Sequence, residues 1–335
     1  MMNKHHAFVN RLRELVYNIY DETILNPSHQ TVNIEPIYQE AKKIDNKLAD
    51  GLVYLFEKPE KGRKYLNSYF KRYNQHFRMT SGFINKGNKN YRVLDCVLGD
   101  IVYDKKKRKD GLNYEVIALD NKKILTFYEY RARKCKRGFL GAGGSWATSN
   151  SNTIYHDFEN FKERGKEFFE FAYSFVNNNL NPLRTYRKPD KNFLIKGLMK
   201  LYIDVMKKSS NFHEFRRKWI NKYVETEAER FEIHELEHLK RKGKDIISKK
   251  TELAAMLKEI SVCPNPYLSF YGLFAIFDKK SLLDSFHEDP AKKVFEIYLN
   301  AMKGKEPSEE KMMNMYKLKE DEIRRIAREA YLKLN

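Results

Sequence analysis

Residues 211 to 242 read NFHEFRRKWINKYVETEAERFEIHELEHLKRK, with no proline or glycine to interrupt them. Phe212, Phe215, Trp219, Tyr223, Phe231, His234 and His238 recur at the spacing of about 3.6 residues that marks one face of a helix. The stretch predicts a long helix whose buried stripe runs on into two histidines, where an apolar residue would be the ordinary choice.

Working outward from it, the chain beyond residue 154 reads as predominantly helical. Periodicity predicts helices over about 156–179, 190–208, 249–261, 267–276, 280–301 and 308–333, and Pro182, Pro189, Pro264, Pro266 and Pro307 fall at or between their boundaries. Towards the N-terminus the pattern differs. Met1 to Tyr20 reads as an amphipathic helix, and residues 63–80 are compatible with another. Tyr91–Leu98, Asn113–Leu119 and Lys123–Tyr130 are short runs rich in β-branched and aromatic residues, separated by turn signals at Gly99-Asp100, Lys109-Asp110-Gly111 and Asp120-Asn121. Gly138 to Asn152, with four glycines and a cluster of Ser, Thr and Asn, predicts an irregular loop. The expected fold is therefore α+β and predominantly α-helical. A small antiparallel β-meander lies within an N-terminal part, residues 1–153, and a helical part, residues 154–335, carries the histidines.

Composition bounds the function. The chain has 335 residues, 41% of them apolar and 14% aromatic, too rich in core formers for a disordered chain. Mean hydropathy is −0.72 and no run approaches the ~18 apolar residues of a membrane span, so no membrane partner is expected. Cys96, Cys135 and Cys263 are scattered, form no CxxC and leave one unpaired, which argues against a disulfide framework and for a reducing, cytoplasmic location.

His234, Glu235 and His238 form an HExxH motif. Residues four apart on a helix lie one turn above each other, so both imidazoles can reach one Zn²⁺. Glu235 is rotated by about 100° from His234, beside such an ion, where a general base can take a proton from zinc-bound water. A third ligand is expected on the next helix. Glu252 lies 14 residues past His238, and Gly243 allows the chain to turn back between them. Ala255 follows on the same face of that helix, where a small side chain permits close approach. Glu259 shares that face two turns on, as the fallback ligand or as a hydrogen-bond partner for an imidazole N–H.

The stretch from Phe231 to Leu239 followed by Thr251-Glu252-Leu253-Ala254-Ala255 resembles the active-site and glutamate helices of zincin metallopeptidases, in the gluzincin arrangement HExxH…E-x-x-A. The resemblance covers about 30 residues. It implies that His234, His238 and Glu252 bind zinc, that Glu235 is the catalytic acid/base, and that the substrate is a peptide or protein. The chain departs from the pattern in the charged Glu232, Glu237 and Lys240 around the motif, and the metzincin continuation is absent. Peptide hydrolysis also calls for an electrophile to stabilise the oxyanion. His287 is the catalytic candidate for that role, with Tyr267 and Tyr271 beside it.

A second function class follows from charge. With 64 Lys and Arg against 45 Asp and Glu, the net charge is +19. Lys105–Lys109 (KKKRK) lies at a predicted turn. Arg131, Arg133, Lys134, Lys136 and Arg137 follow Phe127, Tyr128 and Tyr130, a mix of cations and rings that can bind single-stranded nucleic acid. On that alternative the HELEH helix is structural. The glycine loop lacks the GK[ST] ending of a P-loop, and no cysteine or serine sits in a nucleophile motif. The motif itself lies in an acidic stretch, Glu225 to Glu237, inside a basic chain, which is the sign a divalent cation requires.

Overall fold

The computed structural model describes residues 35–57, 59–86, 89–131, 145–148, 152–177, 189–241, 248–278, 285–302 and 314–334. Three helices come first, α1 (Glu35–Ile44), α2 (Asn46–Glu57) and α3 (Pro59–Lys71), then strands β1 (Gln75–Lys86), β2 (Lys89–Lys109), β3 (Leu112–Arg131), β4 (Ser145–Thr148) and β5 (Thr153–Asp157). Helices follow: α4 (Phe158–Asn177), α5 (Pro189–Met206), α6 (Phe212–Lys240), α7 (Lys249–Val262), α8 (Pro266–Asp278), α9 (Ser285–Ala301) and, after a 3₁₀ turn at Met315–Lys317, α10 (Glu320–Leu332). The fold is α+β and predominantly helical. Strand order in the sheet is β1-β2-β3-β5-β4.

The chain divides into two compact units, and the division follows the β2–β3 hairpin rather than a single point in the sequence. Of the described residues, those within 35–104 and 118–131 form one unit, and those within 105–117 and 145–334 the other.

In the first unit β1 pairs antiparallel with β2, from Gln75 opposite Asp100 to Lys86 opposite Lys89. Leu48, Ala49, Leu66, Tyr69, Phe70, Phe77 and Leu98 form its core. Gly51 lets α2 and α3 cross closely, since a Cβ there would stand 2.5 Å from Leu66 Cδ2. The helix expected over 63–80 stops at Lys71, and β1 begins four residues later. Gln75–Lys86 holds Gly82, Asn85 and Lys86, poor strand formers by themselves, and acquires its conformation by pairing along β2. The expected turn at Asp120-Asn121 is also absent, because β3 runs through it.

The second unit is built on α6. Trp219 and Tyr223 are buried against Phe169, Leu198, Leu201, Tyr202 and Leu268. A second core gathers Phe193, Leu257, Ile260, Phe270, Phe295, Tyr298, Ile323 and Ala327 from α5 and α7–α10. α7 packs on α6 and also on α8, α9 and α10, with Ala254 and Ala255 fully buried. The stripe Phe215–Trp219–Tyr223 is thus the core face predicted from periodicity, while Phe212, at the helix start, is half exposed. The tip of the β2–β3 hairpin belongs to this unit. Asp110 and Gly111 both take positive φ, 51° and 80°, the backbone of a two-residue turn that matches strand twist. The KKKRK segment is therefore the end of β2, and the turn follows it.

Part of the predicted glycine loop is ordered as β4, which pairs with β5 from Ser145 opposite His156 to Thr148 opposite Thr153. Ser-Trp-Ala-Thr is only four residues long and follows a glycine run, so its strand character comes from the partner.

Candidate metal centre

Local signals set where the two site helices begin. Asn211 accepts a hydrogen bond from the Glu214 N–H at 2.9 Å and caps α6. Ser248 and Thr251 cap α7 reciprocally: the Thr251 N–H donates to Ser248 Oγ at 3.2 Å and the Ser248 N–H donates to Thr251 Oγ1 at 2.9 Å. The cap places Glu252 in the first turn of α7, and the helix runs antiparallel to α6, so that Glu259 stands beside Arg230 and His234 while Glu252 stands beside His234 and His238.

His234, His238 and Glu252 converge as a group able to hold one cation. The Nε2 atoms of the two histidines are 3.1 Å apart. Glu252 Oε2 lies 3.1 Å from His238 Nε2, and Oε1 lies 3.4 Å from His234 Nε2. Two donors each ~2.0–2.1 Å from a tetrahedral zinc stand about 3.3–3.4 Å apart, which is near the spacing of the imidazole pair and of each imidazole to the carboxylate, although the two imidazoles meet different oxygens of Glu252. Two imidazoles and a carboxylate are also a donor set that suits zinc. The residues present therefore fit the ion.

The surroundings are mostly buried and carry alternating charge. Glu252 is 2% exposed and Glu259 7%. Burial opposes ionisation of Glu252, but His234 and His238 outweigh it and hold the carboxyl far below its ordinary range. For His234 burial pushes the other way from its neighbours, and the Glu252 and Glu259 carboxylates hold the imidazole well above its ordinary value. Glu259 Oε2 sits 3.0 Å from His234 Nδ1. His238 has no such support: its Nδ1 is buried with no hydrogen-bond partner among the described residues. Its ring stands edge-on to that of His234, with centroids 4.9 Å apart.

Glu235 is half-buried and lies around the helix from His234, next to Glu232 one turn before it. Sequence reasoning gave Glu232 no role, and the structure makes it the anchor of the hairpin tip. Lys107 Nζ donates to both its oxygens at 2.9 and 2.7 Å, Tyr114 Oη donates to Oε1 at 2.8 Å, and the buried His156 Nε2 lies 4.0 Å from Oε2. Lys240 pairs with Asp110 at the hairpin turn. The hairpin is thus pinned to α6 on both sides of the HExxH residues, at positions 232 and 240. A signal existed in the pattern: in a two-residue hairpin closed at Asp110-Gly111, residues 107 and 114 are cross-strand partners on one face.

Burial raises the Glu232 carboxyl, but His156, Lys107 and Tyr114 together hold it at about 2, against an ordinary 4.5. A depressed carboxyl stabilises the fold above its unfolded value, and that stability disappears as pH falls through the folded value. The difference between 4.5 and about 2 is worth at most ~3 kcal/mol, and ~1–2 kcal/mol once the exposure of Lys107 is allowed for. Chemical denaturation from pH 6 down to ~2 should therefore show wild type losing that much more stability than Glu232→Gln. Parallel curves for the two proteins would refute the assignment.

Tyr267 donates its hydroxyl to the Leu318 carbonyl at 3.4 Å and lies under Lys196, and Tyr271 packs edge-on against Phe168, so both serve the core. His287 is the third residue of α9, and its side chain lies outside the described part of the structure. Arg131 ends β3 with its side chain likewise outside it, and Arg133, Lys134, Lys136 and Arg137 lie outside the described residues altogether, as does Met1 to Tyr20. Cys263 is buried on Ser269 Oγ at 3.3 Å, and burial pushes its thiol up to about 12, which suits a structural cysteine. Among the described residues no helix is long and apolar enough to cross a membrane.

No protein family, curated protein sequence or solved structure matches this chain.

Proposed function

We propose that the chain is a zinc-dependent hydrolase of the zincin type that cleaves peptide bonds, and that it works in the cytoplasm. The observation that carries the reading is the convergence of His234 Nε2, His238 Nε2 and Glu252 at 3.1–3.4 Å, with Glu235 on the adjoining side of the same helix. A bound zinc supplies Lewis acidity and lowers the pKa of water towards ~7. His234, His238 and Glu252 would hold the ion, and Glu235 would take the proton of the attacking water and return it to the leaving amine. His287 keeps the role of oxyanion electrophile on its sequence position alone.

The sheet supports a peptide as substrate. β4 lies at the end of the strand order and packs against α6, and among the described residues it pairs only with β5. An extended peptide can add to such an edge through main-chain hydrogen bonds.

The test is hydrolysis of a quenched-fluorescent peptide library by purified protein before and after chelation. Activity should disappear with chelator and return with one equivalent of zinc. Activity indifferent to chelator would overturn the metal mechanism, and absence of turnover with zinc bound would leave a metal-binding protein without the hydrolase.

A further inference from the structure

We infer that Arg230 and Glu259 are positioning residues of the metal centre, Glu259 holding His234 with its Nε2 towards the ion and Arg230 holding Glu259 off it. The inference rests on the metal-site reading above.

α6 presents Arg230, His234 and His238 four residues apart on one face, and the antiparallel α7 presents Glu259 and Glu252 seven apart, two turns along the same face. The two rows interleave. Arg230 meets Glu259, Glu259 meets His234, and Glu252 meets His234 and His238. Both oxygens of Glu259 are engaged: Oε1 accepts from Arg230 Nη1 at 3.2 Å, Oε2 lies 3.0 Å from His234 Nδ1, and the Ser269 hydroxyl also bonds the carboxylate. A carboxylate spent in this way on both oxygens is not offered to a cation on the far side of the imidazole.

Arg230 is itself fixed from several directions. Its side chain is 8% exposed, and a buried guanidinium must be paired to be tolerated. Nη2 donates to Glu227 Oε2 at 2.9 Å, and Arg164 lies 4.0 Å from the same carboxylate oxygen. The guanidinium also lies over the Phe231 ring, 4.4 Å from its centroid. On α8, Gly272 leaves the space that Arg230 fills, since a Cβ there would stand 3.0 Å from Nη1. Without Arg230, Glu259 would keep only His234 and Ser269 as partners, and the oxygen that Arg230 releases could compete for the ion. Sequence periodicity cannot separate Glu252 from Glu259; the register of α7 on α6 separates them, and Arg230 holds Glu259 in the place that register gives it.

The experiment uses the full chain with zinc, and with Co²⁺ as spectroscopic probe. Glu259→Ala should still bind one zinc but ~10–100-fold more weakly, with Glu259→Asp recovering part of the loss. Arg230→Gln should change the Co²⁺ visible spectrum as Glu259 enters the coordination sphere, and Arg230→Gln combined with Glu259→Gln should restore the wild-type band shape. Long-range ¹H–¹⁵N NMR on zinc-loaded wild type, which needs no variant to fold, should show His234 protonated at Nδ1 and metallated at Nε2. Metallation through Nδ1, or zinc affinities and Co²⁺ spectra equal to wild type in folded Glu259→Ala and Arg230→Gln, would overturn the inference while leaving the metal site standing. Wild type that takes up neither metal would bring down both.

Discussion

His238→Ala should purify with essentially no zinc under conditions in which wild type carries about one equivalent. Zinc sites gain ~10–16 kcal/mol from a full ligand set, so loss of one of three protein ligands should weaken binding by on the order of 10²–10⁴-fold. The geometry makes His238 the sharper choice over His234. Its Nε2 is 3.1 Å from both other donors, and no hydrogen bond among the described residues ties its Nδ1 to another group, so its removal breaks the centre with the least collateral damage. Elemental analysis after dialysis, with circular dichroism to confirm the helical content, decides it. Full zinc occupancy in a folded variant would sink the assignment of these donors.

The second large effect is expected at Glu235. Glu235→Gln keeps the length and hydrogen-bonding capacity of the side chain but cannot accept the proton, so zinc should stay bound while peptide hydrolysis falls ~10²–10⁴-fold. The loss should appear in kcat with KM little changed, because the group acts on the transferring proton and contributes little to holding the substrate. A variant with wild-type turnover would exclude Glu235 as the base, and the half-buried Glu232 could not replace it, since Lys107 and Tyr114 already occupy its oxygens. Neither experiment depends on knowing the natural substrate: the first reads metal, and the second compares two folded, zinc-loaded proteins on one peptide.

Much of the helical part was legible because its periodicity is strong. The predicted helix over 211–242 and the observed Phe212–Lys240 differ by a residue or two at each end, and those over 249–261 and 267–276 agree comparably with Lys249–Val262 and Pro266–Asp278. The sheet was less legible. β1 and β4 carry weak strand signals of their own and take their shape from β2 and β5. The sequence gives β5 no strand signal, and its end falls within the helix expected from about 156, although all five of its residues, Thr153–Asp157, are buried. A strand buried along its whole length shows no alternation to detect.

At the centre itself the division is equally clear. HExxH on an uninterrupted helix is a local statement, since four-residue spacing puts His234 and His238 on one face whatever surrounds them. The sequence alone therefore determined which two imidazoles share a face, the side of the helix that carries Glu235, and the acidic character of the stretch. It put Glu252 first and kept Glu259 as the fallback, but spacing could not separate them, because residues seven apart on α7 point the same way. Only the tertiary structure chose between them: antiparallel packing of α7 on α6 sets Glu252 against both imidazole Nε2 atoms and Glu259 against His234 Nδ1 and the Arg230 guanidinium. That choice depends on the register of two helices, which side-chain spacing along either one does not contain.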